Sequence, residues 1–274
     1  MHYKLIIIDR NYWMYIDIAI QIKTMLIKNG DTADIIDYEY GDNNYMNRYI
    51  FLGTLHKNNV KIPPNSIITN FDNHKLLFDI ITDEYINNCE IWDYCEYNIK
   101  LIYKKNPNAQ CFHIQMGYSP LIDYNCLYIE NNKDIDILFL GNVSERRNFI
   151  LNKLRSNGYN VCVVYQKTSK DMSEFIKRSK ICISIYSSDD RYTISSTRFS
   201  PILSNNGFII SEISTCQKQN EYWSEYIIAK EYNELSDTVE YYINKPEERK
   251  KIADKCYEKF KQTTCHLNSI SELN

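Results

Sequence analysis

Apolar residues along this chain gather into short continuous runs of strand length. They recur at 4–9 (KLIIID), 33–38, 48–55, 66–70, 90–94 (EIWDY), 109–115 (AQCFHIQ), 135–140 (IDILFL), 160–165, 181–186 (ICISIY), 208–212 (FIISE) and 227–229. Runs without polar alternation are expected of parallel strands covered on both faces. Between them, apolar residues take helical spacing at 13–27, 76–86, 97–104, 145–156, 170–178, 195–203, 234–243 and 247–262, the last with Pro246 at its start. Strand and helix in alternation predict an α/β fold. The run Gly117-Tyr118-Ser119-Pro120 punctuates the chain after a buried strand, and a new strand–helix–strand unit starts at Ile135. The expected organisation is two Rossmann-like domains facing a central cleft, 1–118 and 135–262. The polar stretch 119–134 then reads as a linker, and 263–274 as a polar tail that frays or crosses back onto the first domain.

Composition narrows the function classes. The 274 residues carry 32 basic and 35 acidic side chains, net −3, without the basic stripe of a nucleic-acid binder. No apolar run reaches the ~20 residues that cross a bilayer, and mean hydropathy is −0.47, so a soluble, cytoplasmic chain with no membrane span is expected. Nine cysteines stand singly, without CxxC or zinc spacing, and read as reduced thiols. The 24 tyrosines and many asparagines match the codon bias of an AT-rich genome, which lowers the information carried by any one of them.

Ligands of open α/β sheets bind outside the carboxyl ends of the strands, so candidate chemistry is sought there. In the first half, Asp9, Asp72 and His74 occupy such positions and suit a general base, although each equally suits a helix cap or a solvated loop. His113 falls inside an apolar strand and reads as a core histidine. The loop 9–13 lacks the GxGxxG fingerprint, which removes the main support for a dinucleotide-dependent oxidoreductase. In the second half, Gly141-Asn142 turns the chain after the strand 135–140, and Ser144 suits an N-cap for the helix after it. Arg146 and Arg147 stand in that helix's first turn, where a basic residue opposes the dipole; they are either solvated or share the site with an anion. After 181–186 comes a polar loop ending in Arg191-Tyr192-Thr193, then a helix beginning with Ser196, Thr197 and Arg198.

The ordered pieces DILFLGNVSERRNFILNKLRSNGYNV, SEFIKRSKICISIY, STRFSPILSNNGFIISE and ELSDTVEYYINKPEERKKIADKCYEKFKQ resemble the C-terminal domain of GT-B glycosyltransferases, in particular a spore-maturation-type group also found in large DNA viruses. WDYCEYNIKLIY and FHIQMGYSP in the first half resemble it more weakly. The resemblance implies a glycosyltransferase taking a nucleoside-diphosphate sugar, with UDP favoured, and a glycan, protein or small-molecule acceptor. It implies no metal or other cofactor and no nucleic-acid partner. Gly141 and Asn142 match the glycine turn beside the donor, and Arg198 matches the arginine of the R-x-x-E-A-L-x-x-G pattern, which would stabilise the leaving diphosphate. Arg146 would help it; Tyr186 and the loop through Arg191, Tyr192, Thr193, Ser196 and Thr197 would surround base and ribose. Pro201 replaces the pattern's glutamate and Asn206 its glycine, with Gly207 next, and the E-x7-E pattern is absent, its places falling on Thr193 and Pro201. Asn206 tolerates the left-handed conformation that a helix end needs. The resemblance therefore assigns neither the donor sugar nor retention or inversion. Asp134-Ile135-Asp136 has D-x-D spacing but starts a strand. A non-catalytic sugar-nucleotide or glycan-binding module of the same fold is the alternative.

Overall fold

The computed structural model describes residues 1–8, 13–37, 47–53, 62–63, 65–72, 77–165 and 167–269. Two compact units divide the chain, one of residues 1–117 together with the stretch from Thr264 onward, the other of Tyr118–Thr263.

The first unit runs β1 (His2–Ile7), α1 (Trp13–Lys28), β2 (Thr32–Asp37), β3 (Asn47–Leu52), β4 (Ile67–Asn70), α2 (Leu77–Ile80), α3 (Asp83–Asn88), β5 (Glu90–Asp93), α4 (Glu96–Lys105) and β6 (Gln110–Gln115). The second continues with β7 (Ile135–Leu140), α5 (Glu145–Ser156), β8 (Val161–Val164), α6 (Ser169–Arg178), β9 (Ser179–Ser184), α7 (Ser196–Ser204), β10 (Ile209–Glu212), α8 (Gln217–Trp223), β11 (Ile228–Lys230), α9 (Leu235–Ile243) and α10 (Pro246–Phe260). The chain then returns to the first unit as β12 (His266–Asn268).

Among the described residues, the first sheet has the order β12-β6-β5-β4-β3-β1-β2 and is parallel except for β12, which pairs antiparallel with β6. The second has the order β11-β10-β9-β7-β8, all parallel. Both are Rossmann-like sheets with a core on each face. Leu5, Ile50 and Ile114 point toward the α1 side of the first sheet, while Phe51, Ile68 and Ile91 pack with Ile99 and Ile102 of α4 on the other. In the second unit Leu138 and Cys182 pack with Phe199 and Trp223; Ile137, Phe139 and Ile183 pack with Leu151 and Val239. The continuous apolar runs of the sequence are these doubly covered strands.

The helix expected over 76–86 is instead two pieces. Thr82 interrupts it, its hydroxyl accepting the Tyr85 N–H at 3.4 Å as a fresh N-cap for α3. Helix α8 is absent from the periodicity because only Gln219 and Trp223 of its seven residues are buried. Gly117 permits the returning chain to pass: a Cβ there would lie 2.2 Å from the Thr264 carbonyl carbon. All nine cysteines are free thiols. No described helix is long and apolar enough to cross a membrane.

The stretch 119–134 carries two 3-10 turns, Pro120–Ile122 and Glu130–Asn132, and packs on the second unit through Ile122, Cys126 and Tyr128. Asn205 holds it, accepting the Tyr124 N–H at 3.0 Å and donating to the Ile122 carbonyl at 2.9 Å. The fully buried Arg249 donates to Tyr128 Oη at 3.1 Å and pairs with Glu130. Lys133 is buried as well, donating to the carbonyls of Lys177 (3.2 Å) and Ser179 (2.8 Å) above the Tyr128 ring. Burial pushes its ammonium down to about 8. The unfolded chain, with an ordinary lysine near 10.4, then binds more protons than the folded one between pH 8 and 10.4, so this group's contribution to stability rises with pH across that window. Chemical denaturation of wild type and Lys133→Met at stepped pH tests it. Any stability advantage of the variant is largest below pH 8 and shrinks toward pH 10; a pH-independent difference contradicts the assignment.

Candidate functional site

The second sheet reverses direction at β7. The chain leaves β7 for β8 on one side and then crosses back to β9 on the other. Such a switch point opens a crevice at the carboxyl ends of the two strands. Here that places the turn after Leu140 beside the end of β9 at Ser184.

Gly141 makes the turn with φ of +135°, which disfavours any residue with a side chain. A Cβ there would also meet Arg198 Nη2 at 3.2 Å, so the missing side chain leaves room for that guanidinium. Arg198 stands in the first turn of α7, over the Phe139 ring at 5.6 Å, and donates from Nη1 to Ser184 Oγ at 3.0 Å. Ser195, at the N-cap of α7, makes no side-chain capping bond.

The neighbouring arginines of α5 go different ways. Ser144 caps the helix by accepting the Arg147 N–H and donates its own hydroxyl to the Ser187 carbonyl at 3.1 Å. From this turn, Arg146 reaches Glu212 at the end of β10 in a two-pronged ion pair of 2.7 and 2.5 Å, and lies 3.8 Å over the Tyr232 ring. Glu212 is fully buried and also receives the Tyr186 N–H at 3.0 Å and Arg191 Nη1 at 3.4 Å. Arg191 reaches Glu231 too, at 3.1 Å. Arg146 is therefore engaged in bracing the loop after β9.

Arg147 turns toward the sheet. It donates to the carbonyls of Ile185 (2.8 Å) and Asn142 (2.7 Å), with its guanidinium 5.4 Å from the centre of the Phe139 ring. Among the described residues it forms no ion pair. Burial, and then the charges of Arg198 and Arg146, push its pKa down to about 9. The Arg147 and Arg198 guanidiniums thus share one aromatic ring, that of Phe139, at the switch point.

Of the positions singled out by sequence, Gly141, Asn142 and Arg198 thus meet at the crevice, and Arg146, Tyr186 and Arg191 converge on Glu212. Thr193 faces inward, its hydroxyl and the Ile194 N–H both donating to Gln219 Oε1 at 3.0 and 2.7 Å. Ser196 is buried in the first turn of α7, while Thr197 and Tyr192 are half-buried. Arg147, read from the sequence as either solvated or beside an anion, and Glu212, which the sequence did not single out, belong to the arrangement as well. An acid closing the apolar run FIISE at a strand's carboxyl end was the available signal for Glu212.

In the first unit, Asp9 and His74 lie outside the described residues. The segments that follow β1 and β3 in sequence, 9–12 and 54–61, also lie outside the described residues. Asp72 follows β4, half-buried, with Tyr15 Oη donating to Oδ2 at 3.5 Å. His113 is a buried β6 residue whose Nε2 lies 3.1 Å from the Tyr94 carbonyl oxygen. No group of three or more His, Cys, Asp or Glu among the described residues is arranged to hold a metal ion.

A family model described as glycosyl transferase-like matches residues 130–267. An uncharacterized protein of Acanthamoeba polyphaga mimivirus is 31% identical over 160 residues, 57% of this chain and 51% of its own. The chain spans about half the length of the curated relatives it matches. Among solved structures, an alpha-glucosyltransferase in complex with UDP superposes with a TM-score of 0.65 at 9% identity, covering 96% of each chain. The alpha-glucosyltransferase with UDP and a 13-mer DNA gives 0.62 at 9% identity, over 94% of each. T4 phage BGT in complex with UDP and Mn2+ gives 0.57 at 13% identity, over 95% of each. At these identities the likeness is one of fold, that of the GT-B glycosyltransferases.

Proposed function

The chain belongs to the glycosyl transferase-like family, and from that premise we propose that its second unit holds a nucleoside-diphosphate sugar, with UDP the favoured nucleotide, for transfer of the sugar to an acceptor hydroxyl. One observation carries the proposal: Arg147 and Arg198 both lie by the Phe139 ring at the switch point, beside a turn where a side chain at Gly141 would crowd Arg198. When the glycosidic bond breaks, the departing diphosphate gains negative charge. Preorganised guanidiniums stabilise that charge at the moment it develops, which is where such groups act most strongly on rate. Arg198 and Arg147 take this role, and the amino end of α7, whose dipole favours negative charge, adds to it.

The wall for base and ribose is the loop from Tyr186 to Tyr192, which Glu212 braces through the Tyr186 N–H, Arg146 and Arg191. UDP is favoured because the similar structures hold it. Two arginines on the leaving group supply the charge that a divalent ion would otherwise supply, so the transfer is proposed to be metal-independent. The acceptor hydroxyl needs a base, and Asp72 is the described candidate in the first unit. A glycan, protein or small molecule is the proposed acceptor class, given the net charge of −3.

Incubation with a panel of nucleotide sugars in EDTA, with glycan, peptide and DNA acceptors, tests the proposal. The expected result is acceptor-stimulated release of UDP without added metal. Tight UDP binding with no release from any donor supports the non-catalytic binding module instead. Dependence on Mn2+ contradicts the metal-independent mechanism, and stimulation by DNA alone contradicts the acceptor class.

A further inference from the structure

At the end of β5, Asp93 is fully buried and holds three N–H groups. Asn70 Nδ2 donates to one oxygen at 2.6 Å, the Cys95 N–H to the other at 2.7 Å, and Asn98 Nδ2 lies 3.2 Å from both. Both amides continue to a single residue, Asp72. Asn70 Oδ1 accepts the Asp72 N–H at 3.0 Å, while Asn98 Nδ2 and Asn70 Nδ2 reach the Asp72 carbonyl at 3.2 and 3.4 Å.

A loop residue clamped through N–H and C=O by two buried side chains is an unusual outlay of polar groups. It is also retained at a cost. Asn98 Oδ1 is buried with no hydrogen-bond partner, an arrangement folded proteins seldom keep without reason. The orientation that leaves this oxygen unsatisfied is the one that turns the Asn98 NH2 onto both Asp93 and Asp72. Burial drives the Asp93 carboxyl up to about 7, while its N–H donors pull the other way. The charged partners that sense it are Asp72 and, on β6, the thiol of Cys111, which burial and Asp93 push up to about 12.

We propose that Asp93 is a positioning residue for the acceptor side of the reaction: through Asn70 and Asn98 it fixes the Asp72 backbone, and so the direction in which the Asp72 carboxylate is presented to an acceptor hydroxyl. This rests on the transferase role proposed above. Asp93→Asn preserves volume but gives the three N–H groups one acceptor oxygen in place of two, so Asn70 and Asn98 lose their common anchor. Asn98→Ala removes one amide without touching Asp93 and serves as the second variant should Asp93→Asn fold poorly.

Two measurements on the full chain separate this link from the role it rests on. The first is hydrogen exchange of the Asp72 amide by NMR. Exchange is expected to speed up by about ten-fold or more in both variants, with amides of the second unit unchanged. Unaltered protection of Asp72 in both variants overturns the link. The second is a kinetic cycle on acceptor-dependent UDP release. Asp93→Asn is expected to lower kcat by up to roughly 100-fold, leave donor KM and UDP affinity unchanged, and add nothing further to an Asp72→Asn background. Fully additive losses, or wild-type kcat in Asp93→Asn, overturn the positioning role while leaving the donor site standing. A wild type that binds UDP but never releases it from a nucleotide sugar overturns the transferase role and this one with it, whatever the exchange rates show.

Discussion

Arg198→Ala lowers turnover of the nucleotide sugar by roughly 30- to 1000-fold. In the proposed role the side chain stabilises the leaving diphosphate, and removing one preorganised donor from such a position costs about 2–4 kcal/mol of transition-state stabilisation. Circular dichroism read alongside separates a loss of turnover from a loss of fold. Arg198→Lys keeps the charge but not the planar fork, and should recover only part of the rate. Arg147→Ala is expected to fall in the same direction. The double variant should lose less than the product of the single losses, since both cations serve one anion. Steady-state kinetics with a saturating acceptor read this directly, and near-normal kcat/KM in Arg198→Ala means the donor lies elsewhere.

Arg146→Met is expected to act on stability first. Glu212 is fully buried and Arg146 supplies its two short ion-pair bonds. Taking one partner from a buried pair leaves an uncompensated charge in the interior and costs about 3–5 kcal/mol. Arg191 keeps a second guanidinium 3.4 Å from Glu212, which argues for the lower end, about 3 kcal/mol. Denaturant unfolding of the second unit measures the loss. The companion variant Arg146→Met with Glu212→Leu removes both charges and is expected to regain most of the stability, because apolar replacement of a whole buried pair is often neutral. A single variant as stable as wild type shows that Glu212 is neutralised some other way. Adjacent arginines thus differ in their contacts: Arg146 holds the loop after β9, while Arg147 donates to the carbonyls of Ile185 and Asn142.

That contrast explains what the sequence could and could not reveal. The strand at 135–140 and the helix at 145–156 have the boundaries expected of them, and Ser144 caps the helix as its residue type suggests. Asn206 takes the left-handed conformation anticipated for it, with φ of +55°. These are local properties, carried by apolar runs, caps and turn residues. The fates of Arg146 and Arg147 are not local. They depend on which face of α5 meets the end of β10, and therefore on a strand order that no periodicity encodes. Glu212 was hidden for the same reason, since an acid ending an apolar run becomes a hub only when Arg146 and Arg191 arrive from elsewhere in the chain. Thr82 marks the opposite failure: a strictly local cap interrupted a helix that the apolar spacing had carried through. Asp93 escaped notice within WDYCEY because a buried carboxylate and a solvated one look alike in sequence. Only Asn70 and Asn98 converging on it distinguish the two.

The second unit is proposed to grip a diphosphate at the crevice between β7 and β9. A crystal of the protein soaked with UDP tests it most directly. The account predicts the β-phosphate within hydrogen-bonding distance of both Arg147 and Arg198, beside the Gly141 turn, with Arg146 still paired to Glu212. UDP bound away from that crevice, or bound there with Arg147 and Arg198 both out of reach of its phosphates, would contradict it.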